Sequence, residues 1–229
     1  MLIKGFQKLT LLDYPGKTAC TVFTGGCNFR CPFCHNAGLV TKMDPEIIPE
    51  SEVFEHLKKR QGILDGIAIT GGEPLLQGDI EEFLKKAREY DYAIKLDTNG
   101  SFPEKLKSII EKGLCDYVAM DIKNSKEKYP ETVGISTFDI SPIEESVEIL
   151  KQGNVPFEFR TTVTKNFHTI IDIENIGKWI AGTENYYLQN FVDSGNLIDG
   201  NVEGVSKEKM EEMLEAVKKY VPTAEIRGL

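Results

Sequence analysis

Residues 66–97 read GIAITGGEPLLQGDIEEFLKKAREYDYAIKLD. Gly66 to Thr70 is a short apolar run closed by a glycine pair, Asp79 to Tyr90 places apolar residues three to four apart, and Ala93 to Asp97 is apolar again. Those periods spell strand, helix, strand. Working outward, further strand-like runs lie at Ala19 to Phe23, Tyr117 to Ile122, Phe157 to Val163 and Tyr186 to Phe191. Helix-like segments fall between and after them at Glu50 to Lys59, Glu104 to Glu111, Pro142 to Gln152, Ile170 to Ile180 and Lys207 to Tyr220. Alternation of this kind gives a parallel sheet with helices on its outer face. A chain of 229 residues is short for a closed eight-fold barrel, which takes roughly 250. The expected fold is α/β: a partial (β/α)6 TIM-type barrel, a curved six-stranded parallel sheet with outer helices. No repeat, low-complexity tract or Gly/Ser linker divides the chain, so residues 1–229 read as a single domain. Asn124 to Asp139, rich in Lys, Glu, Tyr and Pro, reads as a long surface loop, functional or merely connecting.

Composition narrows the function. With 41% hydrophobic and 28% charged residues the chain is an ordinary folded protein. Lys plus Arg is 27 against 36 Asp plus Glu, a net charge of −9 that opposes broad contact with nucleic-acid phosphates. No apolar run reaches the ~20 residues a bilayer demands, and the N-terminus lacks a signal-like segment, so a cytoplasmic setting without membrane contact is expected.

The chemistry is concentrated in Gly25-Gly26-Cys27-Asn28-Phe29-Arg30-Cys31-Pro32-Phe33-Cys34-His35-Asn36, directly after the first predicted strand. Three of the five cysteines stand here as C-x-x-x-C-x-x-C, a spacing that in a reducing compartment suggests metal binding or catalysis before disulfides. Structural zinc usually takes four protein ligands, whereas His35 is adjacent to Cys34 and strained as a fourth. A cubane iron–sulfur cluster held by three thiolates leaves one iron open to an outside ligand. Cys20 and Cys115 read as small buried hydrophobes, too few to hold a second cluster.

This motif, with an aromatic (Phe33) before its last cysteine, resembles the signature of the radical S-adenosylmethionine (SAM) superfamily. Thr70-Gly71-Gly72-Glu73-Pro74 matches that family's GGEP segment, although taken alone it also reads as a turn before a helix. The resemblance implies a 4Fe-4S cluster on Cys27, Cys31 and Cys34, with SAM on its open iron. It places Phe33, Asn36 and the edge formed by Gly71, Gly72, Glu73 and Pro74 against SAM, Glu73 receiving its amino group. Side chains at the C-terminal ends of barrel strands converge on one mouth. Asp97, Asp121 and Lys123 should therefore face the same pocket, unless D-T-N-G and D-I-K are merely a capped turn and an exposed strand end. Lys123 is placed to pair with the SAM carboxylate, and Asp97, Thr98 and Asp121 offer hard oxygens to a monovalent cation beside it. Arg160 and Thr162 share one strand face by period-two alternation; matching positions in glycyl-radical-activating relatives contact SAM, and a salt bridge from Arg160 to a barrel carboxylate is the competing reading. Strand six ends Gln189-Asn190-Phe191, where some activating enzymes carry a His.

The opening Gly5 to Lys17, with Asp13-Tyr14-Pro15-Gly16, together with Cys27 to Asn36, resembles activases of glycyl radical enzymes, in particular those of anaerobic ribonucleoside-triphosphate reductase. The resemblance implies an oxidoreductase that takes an electron from a flavodoxin- or ferredoxin-type donor and stores a radical on a glycine of its partner. Activation of another, pyruvate formate-lyase-like, glycyl radical enzyme is an alternative, as is modification of a small molecule. Outside catalysis stands an iron–sulfur electron carrier or redox sensor, which would bind no SAM and would leave Gly71 to Pro74 without a role. His168 follows the fifth predicted strand with no partner visible in the sequence.

Overall fold

The computed structural model describes residues 1–41, 46–193, 195 and 197–228. One sheet carries eight strands in chain order, β1 (Ile3–Thr10), β2 (Ala19–Thr24), β3 (Gly66–Gly71), β4 (Ala93–Thr98), β5 (Tyr117–Asp121), β6 (Phe157–Val163), β7 (Tyr186–Asn190) and β8 (Glu225–Arg227). Strands β2 to β8 pair in parallel. The six predicted strands are β2 to β7, so the curved parallel sheet stands, with a count of eight rather than six. Both additions lie at the edges. β1 runs antiparallel to β2 with two register shifts and is buried only at its two end residues, which blurs the alternation that would reveal it. β8 has only three residues.

The helices are α1 (Ala37–Val40), α2 (Glu50–Lys59), α3 (Ile80–Arg88), α4 (Pro103–Glu111), α5 (Tyr129–Val133), α6 (Ser141–Lys151), α7 (Ile170–Trp179) and α8 (Lys207–Lys218). In α3 the buried residues Ile80, Phe83, Leu84 and Ala87 form one stripe, with acids in the first turn and bases in the last, as the helix dipole favours. α7 begins with a reciprocal capping box between Thr169 and Asp172. Among the described residues no helix is long and apolar enough to cross a membrane.

Two faces of the sheet divide the work. Ile94, Leu96, Val118, Met120 and Phe159 are fully buried and pack in the core shared with the helices. The alternate positions, Lys95 and Asp97 on β4, Asp121 on β5 and Glu158, Arg160 and Thr162 on β6, occupy the opposite, concave face by the strand period. Register sets Asp121 opposite Arg160 and Thr162 opposite Gln189. Asn124 to Asp139 is not the surface loop expected. It forms a 3-10 turn and α5, burying Tyr129, Thr132 and Val133, and the backbone N–H of Arg30 donates to Val133 O at 2.9 Å. The segment thereby props the cysteine loop.

Candidate active site

The cysteine loop and the glycine pair are fitted backbone to backbone. Gly72 N–H donates to Thr24 O and Glu73 N–H to Gly26 O, both at 2.9 Å. A Cβ on Gly72 would stand 1.9 Å from Gly26 O, and Gly71, at φ +112°, would place one 2.4 Å from Thr24 N. Only glycine allows that approach. Asn36 Nδ2 donates to Gly71 O at 2.9 Å, tying the far end of the cysteine loop to the same edge.

Beneath this seam lies a cavity of about 390 Å³ at the C-terminal strand ends. Cys27, Cys31, Cys34, Phe33 and Asn36 line it from the loop, and Gly71 and Gly72 from the β3 edge. Asp97, Thr98, Asp121, Lys123, Arg160 and Thr162 complete its walls. The sequence reading thus brought together nearly all its candidates, and Glu73 and Pro74 are the exceptions. Glu73 is wholly buried; its carboxylate accepts from Leu75 N (3.0 Å), Thr98 Oγ1 (2.9 Å) and Asn99 N (2.7 Å). Desolvation pushes its pKa up to about 7 against those donors. Its oxygens tie the β3 and β4 strand ends together, and Pro74 opens a 3-10 turn behind it.

The three thiols answer to one another electrostatically. Burial raises all three, Cys31 to about 12, and each neighbouring sulfur adds to the rise at Cys31. The Lys123 ammonium opposes that rise at every one of them. Phe29 N–H donates to Cys27 Sγ at 3.3 Å, and the Asn99 carboxamide approaches the same sulfur at 3.7 Å. A cation and N–H donors gathered round three buried sulfurs suit thiolates bound to metal, since a ligating thiol must lose its proton. Among the described residues no three His, Cys, Asp or Glu side chains close around a single ion; a cubane takes each thiolate on a different iron. His35 turns its ring onto Phe191, centroids 5.2 Å apart.

Where a monovalent cation was expected, at Asp97, Thr98 and Asp121, protein cations reach both carboxylates. Arg160 Nη1 and Nη2 reach Asp97 at 3.3 Å, and its Nε reaches Asp121 at 2.9 Å. Lys95 also pairs with Asp97, and Lys123 with Asp121 at 2.9 Å. Burial works against the charge on Asp121, but Arg160 and Lys123 outweigh it and keep its carboxyl below the usual range. Burial likewise works against the Lys123 ammonium, and Asp121 and Cys31 outweigh it. Thr98 Oγ1 is engaged with Glu73. Arg160 therefore makes the salt bridges that competed with a ligand contact, while still lining the cavity. On β7, Gln189 faces the cavity, whereas the Asn190 carboxamide turns away to bond both N–H and C=O of Val205 at 3.0 and 2.9 Å.

Sequence reasoning missed Asn28, Asn99 and Ser101. Asn99 Nδ2 donates to Asn28 Oδ1 at 3.0 Å, and Asn28 Nδ2 to Ser101 Oγ at 2.9 Å, so the D-T-N-G-S turn grips the cysteine loop. It also missed Glu158 and Arg227. Two 2.9 Å bonds from the Arg227 guanidinium hold the Glu158 carboxylate, which is 1% exposed. The E-F-R pattern on β6 was the available signal for Glu158; nothing marked Arg227.

Comparison with known proteins agrees with this geometry. The radical SAM superfamily model matches residues 21–180. A Methanocaldococcus jannaschii protein named "Putative glycyl-radical enzyme activating enzyme" is 33% identical over 236 residues, covering 100% of this chain and 96% of its own. The GTP 3′,8-cyclase of Helicobacter pylori is 30% identical over 208 residues, covering 84% of this chain and 62% of the cyclase. Among solved structures, Streptococcus suis SuiB bound to S-adenosylmethionine superposes with a TM-score of 0.71 at 15% identity, over 89% of this chain and 48% of SuiB.

Proposed function

The chain belongs to the radical SAM superfamily, an oxidoreductase family that works with a 4Fe-4S cluster and SAM, and from that premise we propose that it installs a glycyl radical on a partner enzyme, anaerobic ribonucleoside-triphosphate reductase. We propose further that residues 1–229 act as one radical SAM domain in the cytoplasm, drawing electrons from a flavodoxin- or ferredoxin-type protein. Cys27, Cys31 and Cys34 would hold the cluster, which would supply the electron for reductive cleavage of SAM. The chain's own residues bind and aim. Lys123, standing between Asp121 and the sulfurs, would meet the SAM carboxylate, and the Gly71–Gly72 edge, which Asn36 ties to the cysteine loop, would bound its amino-acid end. Phe33 and Thr162 bound the cavity, and Arg160 keeps Asp97 and Asp121 in place beneath it.

The observation that carries a macromolecular substrate is the filling of the barrel. The cavity of about 390 Å³ lies near the small end of the ~300–1,000 Å³ range of ligand sites, room for one nucleoside-sized molecule. Below it Lys95, Asp97, Glu158 and Arg160 fill the interior, with Lys95 2% exposed and Glu158 1%. Among the described residues no chamber for a second small substrate opens beneath the cavity, which favours a reacting C–H bond that arrives at the mouth, as a glycine on a partner's loop does. The 33% identical relative, matched over this whole chain, bears a name of that class.

The test is anaerobic reconstitution with iron, sulfide, SAM and a reductant, in parallel with the reductase, with a pyruvate formate-lyase-like protein and without partner, read by electron paramagnetic resonance. A glycine-centred doublet on the reductase alone is the expected result. A doublet only on the other partner reassigns the target; 5′-deoxyadenosine without any protein radical overturns the activase reading.

A further inference from the structure

β5 ends at Asp121, and Lys123 lies beyond the last ladder bond that fixes the chain there, Ile122 N–H to Arg160 O at 2.8 Å. Its two backbone groups are satisfied by side chains from elsewhere. Lys123 N–H donates to Tyr129 Oη at 3.3 Å, and Lys123 C=O meets His168 Nε2 at 2.9 Å. The direction in which the Lys123 side chain leaves the strand end therefore depends on those two partners.

His168 is 4% exposed and closes the turn after β6: its backbone N–H bonds Thr164 O at 3.1 Å, and its Nδ1 faces Thr164 N–H at 3.2 Å. A backbone N–H can only donate, so Nδ1 must accept, and the ring proton sits on Nε2, where it donates to Lys123 C=O. The same ring is in edge contact with Phe33 of the cysteine loop, centroids 6.2 Å apart, and Phe33 also packs on Phe167 at 5.8 Å. One imidazole thus touches the loop that carries the thiols, the β6 turn and the carbonyl of Lys123.

We propose that His168 is a positioning residue: through its Nε2–H bond to the Lys123 carbonyl and its contact with Phe33, it sets Lys123 Nζ relative to the three thiols and so sets the affinity for the anionic end of SAM. The functional half of this statement rests on the reading of Lys123 as the partner of the SAM carboxylate; the positional half does not.

Two substitutions divide the ring's bonds between them. His168→Gln keeps a donor near the Nε2 position and loses the Nδ1 acceptor; His168→Asn keeps an acceptor near Nδ1 and loses the donor to Lys123. Crystal structures of both variants without cluster, and SAM dissociation constants of both full-length chains after anaerobic reconstitution, are read beside iron content and thermal midpoint. In His168→Asn the contact from Lys123 Nζ to Asp121 is expected to be lost and the SAM dissociation constant to rise about tenfold, the loss of one charge-assisted contact, at unchanged iron content. In His168→Gln the contact stays and affinity holds within about twofold. Equal behaviour of the two variants, or a Lys123 that stays in place in His168→Asn, overturns the proposal. A displaced Lys123 with unchanged SAM affinity leaves His168 as its anchor and overturns the assignment of Lys123 to the carboxylate.

Discussion

The mouth of this sheet and the interior beneath it are built on opposite plans. The mouth is made from two short segments, three thiols within eight residues and a glycine pair, seated on each other by backbone hydrogen bonds at which a Cβ would intrude. The interior is made from residues far apart in sequence, Lys95 and Asp97, Asp121 and Lys123, Glu158 and Arg160, and Arg227, joined as alternating cations and anions. The mouth supplies reactive atoms; the interior supplies fixed charge, and its Lys123 ammonium acts on all three sulfurs. Chemistry can be packed into a short loop, whereas its alignment is drawn from strands a whole fold apart.

Breaking the mouth has the largest effect. Cys27→Ala, Cys31→Ala and Cys34→Ala each remove a thiolate that a methyl group cannot replace, so cluster absorbance and 5′-deoxyadenosine formation should fall to background while the fold survives. Cleavage of SAM retained by any of the three would refute the assignment. Breaking the interior should act the other way round, on stability first. Arg160→Leu leaves Asp97 and Asp121 sharing a buried site with only Lys95 and Lys123 for compensation, and removing one partner of a buried network costs about 3 kcal/mol. Chemical denaturation measures it; a loss below about 1 kcal/mol would mean that solvent screens the network. Arg160→Lys should recover only part of the loss, because one ammonium cannot reproduce contacts made by three guanidinium nitrogens.

The same contrast explains what the sequence made legible. Six strands could be read because each is an apolar run with a clear period, and the cysteine loop because its ligand spacing has few other uses. β1 escaped because its register shifts scramble alternation, and β8 because three residues carry no period. The resemblance points Glu73 at a ligand, and its carboxylate also accepts from Leu75, Thr98 and Asn99, bonds visible only when two strand ends meet. At Asp97, Thr98 and Asp121, likewise, sequence displays the acids without showing that Arg160, 63 residues from Asp97, arrives between them. His168 and Arg227 stand alone in the sequence, and their partners Lys123 and Glu158 lie 45 and 69 residues away.

A smaller effect tests whether the support beside the mouth is held by neutral or charged groups. Burial pushes the His168 imidazole from its ordinary 6.5 down to about 4, against the opposing influence of the Lys123 and Thr164 backbone bonds and of Asp172. Lys128, which pairs with Asp172 at 3.1 Å, adds to the lowering. With a folded pKa below the unfolded one, the unfolded chain binds more protons between pH 6.5 and 4. Stability from this group is therefore complete above about pH 6.5 and is lost as pH falls toward 4. Two and a half pKa units give a difference of about 2 kcal/mol between pH 7 and pH 5. His168→Gln has no such proton to bind, so the difference between wild-type and variant unfolding free energies should shrink by that amount over the same interval. A difference that stays flat with pH would show that His168 takes up its proton in the folded chain as readily as in the unfolded one, and so carries it at pH 5. In that case its Nδ1 could not accept from Thr164 N–H, and the imidazole could not stand as Lys123's neutral anchor.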